Sequence, residues 1–259
     1  MPLEIPSLNA EVLGHIGFLP ITNTMVNAWV AILIFLVLGL TLKRSIKLRP
    51  GKLQNACEYF LEIVLGYFDQ VTGDRAKTMR FLPIAGSVFF FILLSNWLGI
   101  IPGTSSIFIG NAPLLRSANT DLNLTIAMAL VSVIVSHFMG FASVGFFTHI
   151  NKFIQIGPLI KSFRHGPIAV LTAIIQFGVG LMEIVSELAK VVSLSLRLFG
   201  NVFAGEVLMT VLSSLFSLLL PTPFMLLELL VGVIQAGVFG VLTMVYMTVA
   251  SEQPHEAGH

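Results

Sequence analysis

Long apolar stretches, separated by short polar segments, make up most of this 259-residue chain. A helix that spans the hydrocarbon core of a bilayer needs about 20 mostly apolar residues. Stretches near this length occupy 25–42, 81–101 and 122–147, and longer apolar regions occupy 168–220 and 224–250. The pattern predicts an all-α integral membrane protein with a single membrane domain over 1–259, in which three spanning helices precede two longer ones.

The region 168–220 is too long to cross a membrane upright. As one helix it would extend about 80 Å, whereas the hydrocarbon core is about 30 Å thick. It has no proline or Gly-Asn turn at its middle, and its polar residues recur at helical spacing. We therefore expect one continuous, steeply tilted helix that forms a hairpin with 224–250 through a turn at 221–223. A break near Gly180 is the alternative.

The segment 52–72 has a different pattern, with apolar and acidic residues on separate faces of a helix. This pattern predicts an amphipathic helix on the membrane surface. A helix that packs against a soluble partner is the alternative. The apolar positions are Phe60, Ile63, Val64, Tyr67 and Val71, and the acidic ones are Glu58, Glu62 and Asp69.

The composition supports a membrane protein, because 56% of the residues are hydrophobic, 10% are charged and the mean hydropathy is +0.93. A soluble domain carries about 25% charged residues. The single cysteine, Cys57, cannot form an internal disulfide. The sequence has no basic nucleic-acid patch, zinc-ligand spacing or phosphate-binding loop, so we expect no nucleic acid, metal or cofactor.

The basic residues predict the orientation. Eleven of the 14 Lys and Arg residues fall in the segments 43–80 and 152–165, and one, Arg116, falls in the segment 101–120. The positive-inside rule places the two basic segments in the cytoplasm. The N-terminal segment 1–24 is then outside, and the tail 251–259 is cytoplasmic.

The region 168–220 carries a polar stripe along one helical face. Glu183, Lys190 and Arg197 are seven residues apart, Glu187 lies three before Lys190, and Asn201 lies four after Arg197. A central arginine in lipid costs about 2.5–3.5 kcal/mol on insertion scales. The stripe must therefore face protein or water.

Arg197 has no acidic partner on its own helix. Its helical neighbours are Ser193, Leu194, Gly200 and Asn201, and Glu206 lies about 13 Å further along the axis. Its counter-charge must then come from another helix or another chain. Gly200 and Ala204 share this face, and small residues allow a neighbouring helix to approach closely. A structural arginine that reaches an interface or caps carbonyls is the alternative.

A second polar group involves Glu206, Glu228 and Gln235. Glu228 and Gln235 share one face of the last helix, and antiparallel packing brings Glu228 towards the depth of Glu206. Two neighbouring buried carboxylates form a plausible proton relay, although they could equally be two unrelated acids that face water. Asp121 and Asn123 either line the same cavity or cap the third span.

These motifs resemble those of a known family. The run SLRLFGNVFAGE at 195–206 resembles the signature of subunit a of the bacterial rotary F-type ATP synthase. The resemblance extends over most of the chain and includes SNWLGIIP at 95–102, DLNLTIAMAL at 121–130 and IQAGVFGVLTMVYM at 234–247.

The resemblance implies a stator beside a rotating ring of small hairpin subunits, the c-ring, each with a carboxylate in mid-membrane. Arg197 matches the essential arginine that faces this carboxylate. The other matches imply an outer half-channel at Asn201, Glu206, Glu228 and Gln235, with Asp121 and Asn123 beside it, and an inner access path at Glu183, Lys190 and Ser193. Glu228 stands where some members have histidine.

The resemblance also implies peripheral-stalk b subunits, the lipid bilayer and the bacterial plasma membrane as the surroundings. The chain has no catalytic site by itself, and it would act as part of the ATP synthase complex. A secondary transporter with an intramembrane binding site is the alternative function, but such proteins usually show internal repeats and broken helices. A purely structural anchor leaves the stripe around Arg197 unexplained.

Overall fold

A computed structural model describes residues 7, 9–17, 19–101, 108–109, 112–153, 167–215 and 221–252. These residues form seven helices, two short hairpins and one turn of 3-10 helix. The helices are α1 (Asn23–Ser45), α2 (Lys52–Thr72), α3 (Arg75–Ile100), α4 (Leu122–Val144), α5 (Phe146–Phe153), α6 (Pro167–Leu215) and α7 (Pro221–Ser251). The hairpins pair β1 (Val12–Ile16) with β2 (Leu19–Thr22) and β3 (Phe108–Ile109) with β4 (Ala112–Pro113), and the 3-10 turn is Ala118–Thr120.

Five helices in the described part of the chain are long and apolar enough to cross a membrane: α1, α3, α4, α6 and α7. This confirms the all-α membrane class. The two hairpins were not predicted, because strands of two to five residues give too short an alternation to recognise. The first of them, β1–β2, leads directly into α1, whose first turn is capped by the Thr22 hydroxyl.

The structure shows α6 as one uninterrupted helix of 49 residues, about 73 Å long. The alternative of a break near Gly180 is therefore wrong. Gly180 is only one residue in a run with strong helical spacing, and a single glycine costs a helix only about 1 kcal/mol.

Two predicted boundaries need correction. The segment Pro221-Thr222-Pro223 is the first turn of α7 rather than a turn between helices. Proline is tolerated there because the first backbone N–H groups of a helix have no partner within the helix. The third span ends at Val144 rather than at Phe147. Gly145 has φ +93°, so the helix ends there and the chain changes direction before α5 begins.

The helix α7 lies at the centre of the bundle and packs against α2, α3, α4 and α6. Its buried side includes Ala236, Phe239, Met244 and Met247. Gly240 lets α3 and α2 approach, since a Cβ atom there would lie 3.1 Å from Phe89 and 3.3 Å from Phe68.

The bounds of α2 are those that the sequence predicted, but its buried face is shifted. Val64 is buried as expected, whereas Phe60, Ile63 and Tyr67 remain exposed. The packed residues are Val64, Leu65 and Phe68, because α2 contacts α3 and α7 along one narrow edge. The wider apolar sector of α2 is therefore left outside the bundle.

A buried amide pair holds the segment before α4 against the bundle. Asn119 donates to the side-chain oxygen of Asn96 at 2.7 Å, and Asn96 donates to the carbonyl of Gly232 at 3.5 Å. All three residues are buried. The 3-10 turn packs against α1, α3 and α6, and this packing determines where the preceding Arg116 lies.

Candidate functional site

Arg197 lies on an exposed face of α6, ten residues from Glu187 and nine from Glu206. Its guanidinium donates to the Ser193 hydroxyl one turn earlier, at 3.3 Å. Within the described ranges, Arg197 forms no ion pair. This agrees with the expectation that the helix itself supplies no acid, and no described carboxylate on another helix of this chain supplies one either.

The face of α6 around Arg197 carries small and apolar residues beside Ser193 and Asn201, and it is exposed among the residues that the structure describes. The adjacent side of α6, with Leu194, Leu198 and Val202, is buried. On the exposed side, Leu196 is 52% exposed, and a Cβ atom added to Gly200 would meet nothing within 4 Å. Gly200 and Ala204, which were predicted to form a docking surface, are therefore left exposed by the described part of the chain.

Arg197 and Gln235 line the same shallow groove. The groove lies between α6 and α7, and its other walls are Leu194, Leu198, Val238 and Phe239. The structure thus brings together two residues that the sequence assigned to the ion path. Asn201, one turn beyond Arg197, is also exposed.

Glu206 pairs with Arg116, which the sequence analysis did not assign to the site. The Arg116 Nε atom lies 2.9 Å from Glu206 Oε1 and 3.1 Å from Oε2. The same guanidinium donates to the carbonyls of Ser7 at 2.9 Å and Asn9 at 3.3 Å. Arg116 is only 6% exposed, so these partners replace the water that would otherwise solvate its charge. In the sequence, Arg116 stands out only because it lies in the segment 101–120, away from the two basic segments 43–80 and 152–165.

Glu228 lies against the backbone of α6 at Gly205. A Cβ atom at position 205 would lie 2.1 Å from both carboxylate oxygens of Glu228. The depth of Glu228 thus matches that of Glu206, because α7 begins at Pro221 and α6 ends at Leu215. No hydrogen bond or ion pair joins the two carboxylates in the part of the chain that is described. We call Arg116, Glu206 and Glu228 the Arg116 cluster.

Asp121 and Asn123 lie near the start of α4. Asp121 accepts from the Asn123 backbone N–H at 2.9 Å and from the Thr24 hydroxyl at 3.3 Å. Asp121 therefore caps α4 and ties it to α1, as the capping alternative predicted. The Asn123 side chain is exposed.

On the other side of Arg197, four titratable residues from three helices form what we call the histidine cluster. Its members are His137 on α4, His149 on α5, and Glu187 and Lys190 on α6. Lys190 Nζ lies 2.7 Å from Glu187 Oε1, and His137 Nε2 lies 3.5 Å from Glu187 Oε2. His137 Nδ1 lies 3.2 Å from His149 Nε2.

The inner-path residues predicted from the sequence are partly gathered by this arrangement. Lys190 belongs to the histidine cluster and lies over the ring of Tyr246 on α7, 5.1 Å from its centroid. Ser193 contacts Arg197, and Glu183 is half-buried one turn before Glu187. The sequence analysis missed His137 and His149, because lone histidines in apolar segments give no local signal of pairing.

Comparison with known proteins identifies a family that this chain resembles over most of its length. A family model described as ATP synthase A chain matches residues 25–248. The chain is 34% identical over 234 residues to "ATP synthase subunit a" of Moorella thermoacetica, covering 90% of this chain and 92% of that relative. It is 33% identical to "ATP synthase subunit a 1" of Syntrophotalea carbinolica, covering 95% and 91%, and 33% identical to "ATP synthase subunit a" of Campylobacter jejuni, covering 88% and 88%. A family model and relatives that match over most of its length show that the chain belongs to the ATP synthase subunit a family.

Proposed function

We propose that this chain is the stator of the membrane sector of an ATP synthase and carries protons to and from carboxylates on a rotating ring of small subunits. The observation that carries the proposal is the exposed Arg197 on an apolar face, without an acid from its own chain among the described residues. A permanent cation on an apolar surface needs an anion from elsewhere, since arginine does not lose its proton in proteins. A mid-membrane carboxylate on a partner helix has the required charge and depth.

The proposed geometry is a tilted hairpin. At about 73 Å, α6 exceeds the hydrocarbon thickness of about 30 Å, so it must tilt steeply or extend beyond the membrane. Its packing against α7 supports a hairpin, with 216–220 as the connection. The bacterial relatives and the basic loops support a plasma membrane location, with the N-terminus outside and the C-terminus in the cytoplasm.

Two offset half-channels follow from the polar groups on either side of Arg197. We assign the Arg116 cluster, with Asn201 and Gln235, to the outer half-channel, and Asp121 and Asn123 to its rim. Glu183, Lys190 and Ser193 belong to the inner half-channel. Peripheral-stalk b subunits would hold the stator in place on another surface of the bundle.

In this mechanism a proton passes by Glu206 and Glu228 to neutralise a ring carboxylate. The neutral acid enters lipid at far lower cost than the charged form, so the ring turns in the direction that carries the neutral form away. After nearly a full turn the acid releases its proton at the inner half-channel. Arg197 then stabilises the ionised acid and blocks direct passage of protons between the half-channels. A weak or water-mediated contact is required, because a strong ion pair would stall the ring.

The test uses inverted membrane vesicles that contain the whole complex. ATP-driven acidification and passive proton leak are compared between the natural chain, Arg197→Ala and the loop variant Arg49→Ala, with ATP hydrolysis as the measure of assembly. We expect Arg197→Ala to abolish acidification and increase the leak, and Arg49→Ala to change neither. Normal acidification in Arg197→Ala would overturn the proposal.

A further inference from the structure

The histidine cluster contains protonatable groups that the mechanism above does not use. The histidine rings lie on two different helices, and their facing nitrogens are 3.2 Å apart. At this distance one nitrogen donates a proton and the other accepts it. In the neutral pair each ring carries one proton, one of which is shared between the facing nitrogens, and the pair can take up one more to become singly cationic.

The surroundings of the pair are built to hold it in place. Phe141 and Phe153 pack on the rings, with centroids 4.8 Å from His149 and 5.6 Å from His137. His149 also lies directly on Gly140, where a Cβ atom would be 2.4 Å from the imidazole. His149 is 4% exposed, whereas the side chain of His137 is 24% exposed. The exposed part of the pair is therefore mainly His137.

The cluster continues towards Arg197 along one face of α6. His137 contacts Glu187, Lys190 donates a hydrogen bond to Glu187, and Arg197 donates one to Ser193. These α6 positions are three or four residues apart, so they form a polar ladder about 15 Å long from Glu187 to Arg197. The ladder ends where the proposed function places the ionised ring carboxylate.

We propose that the His137–His149 pair is the proton-collecting site of the inner half-channel, an inference that rests on the proposed function. When the complex hydrolyses ATP, the ring turns in the opposite direction and the inner half-channel takes protons up. A hydronium ion in the cytoplasm then gives its proton to the pair, which becomes singly cationic, and water is left behind. The pair then releases one proton from His137 Nε2 to water beside Glu187 and returns to its neutral state. No electrons move, and the proton continues to the ring carboxylate.

The charges around the pair act in opposite directions. Glu187 favours the cationic form, and Lys190 opposes it while being partly neutralised by the same carboxylate. From α7, the titratable group is Tyr246, which lies against Lys190 rather than against the imidazoles. Glu183 on α6 adds a further negative charge one turn away.

The experiment measures ATP-driven acidification of inverted vesicles, in which the cytoplasmic side faces the medium. The external pH is varied from about 6 to about 8.5, on both sides of the ordinary pKa of histidine. We expect His137→Gln to pump nearly as fast as the natural chain at the lowest pH and several-fold more slowly at the highest, where protons are scarce. Imidazole in the medium should restore the rate. The matched control is His15→Gln in β1, which should leave the profile unchanged.

Superimposed pH profiles for His137→Gln and the natural chain would overturn this proposal. So would a decrease that is equal at every pH and insensitive to imidazole, since the pair would then only hold α5 against α4. His149→Gln is measured in the same way if His137→Gln lowers the yield of the complex. Acidification that persists in Arg197→Ala contradicts the proposed function instead, so the two failures are distinguishable.

Discussion

The Arg116 cluster and the histidine cluster lie on opposite sides of Arg197 and hold their carboxylates in different ways. Glu206 is held by a buried arginine, whose charge is permanent and which comes from a segment 90 residues away. Glu187 is held by a lysine on its own helix and by a histidine on α4. We therefore expect the loss of one partner to cost more stability in the first cluster than in the second.

The largest effect on stability is expected from Arg116→Ala. Removing one partner of a buried ion pair leaves the other charge uncompensated, which costs about 3–5 kcal/mol. Arg116 also ties down the carbonyls of Ser7 and Asn9. Thermal unfolding of the purified complex measures the loss. Lys190→Ala is the matched variant in the histidine cluster and should cost clearly less, because Glu187 keeps His137. If Arg116→Ala and Lys190→Ala lowered the unfolding temperature equally, the two clusters would not differ in how strongly they hold their carboxylates.

A second large effect, on transport rather than stability, is expected from Gly205→Ala. The new methyl group would occupy the place of the Glu228 carboxylate, which can swing away because it ends a flexible side chain. We expect an assembled complex that hydrolyses ATP but acidifies vesicles poorly. Gly237→Ala is the control, since a Cβ atom there meets nothing within 4 Å. Normal acidification in Gly205→Ala would show that the position of Glu228 is unimportant for proton transfer.

The smallest effect is expected from the exposed ion pair between Asp69 on α2 and Arg75 at the start of α3, which serves as a reference for both clusters. Asp69 lies 2.5 Å from Arg75, and the nearby Thr78 hydroxyl and Arg75 guanidinium hold the pKa of the Asp69 carboxyl below its usual value. A lowered pKa stabilises the folded state above about pH 4 and loses that effect as the pH falls through the lowered value.

We therefore expect Asp69→Asn to lower the unfolding temperature slightly at neutral pH and to match the natural chain in strong acid. Glu62→Gln is the control, because Glu62 is more exposed and lies 3.6 Å from the same arginine. If the decrease in unfolding temperature caused by Asp69→Asn became larger as the pH fell, this would contradict a lowered pKa of the Asp69 carboxyl in the folded state.

The features that could be predicted from the sequence are those that depend on residues close together in the chain. The bounds of α2 and the continuity of α6 follow from helical spacing within one segment, as does the lack of an acidic neighbour for Arg197. The pairing of Arg116 with Glu206, and of His137 with His149, depends on tertiary packing between separate segments. No local period encodes these contacts, so the sequence offered only the isolated position of Arg116 as a signal. The edge along which α2 packs is likewise decided by tertiary contacts, because it depends on the neighbouring helices α3 and α7.

The central claim is that the exposed face around Arg197 receives a ring subunit, and disulfide cross-linking tests it most directly. A single cysteine is placed at Gly200, where there is open space, with Cys57 replaced by serine. A second cysteine is placed in the ring subunit of the same complex, one turn from its membrane carboxylate. Leu33→Cys on α1, where the native side chain is 59% exposed, is the control.

We expect oxidation to join the Gly200→Cys chain to the ring subunit and to leave the Leu33→Cys chain unlinked. A ring subunit that links to position 33 and never to position 200 would contradict the account. Arg197 would then have to be balanced by something other than the ring.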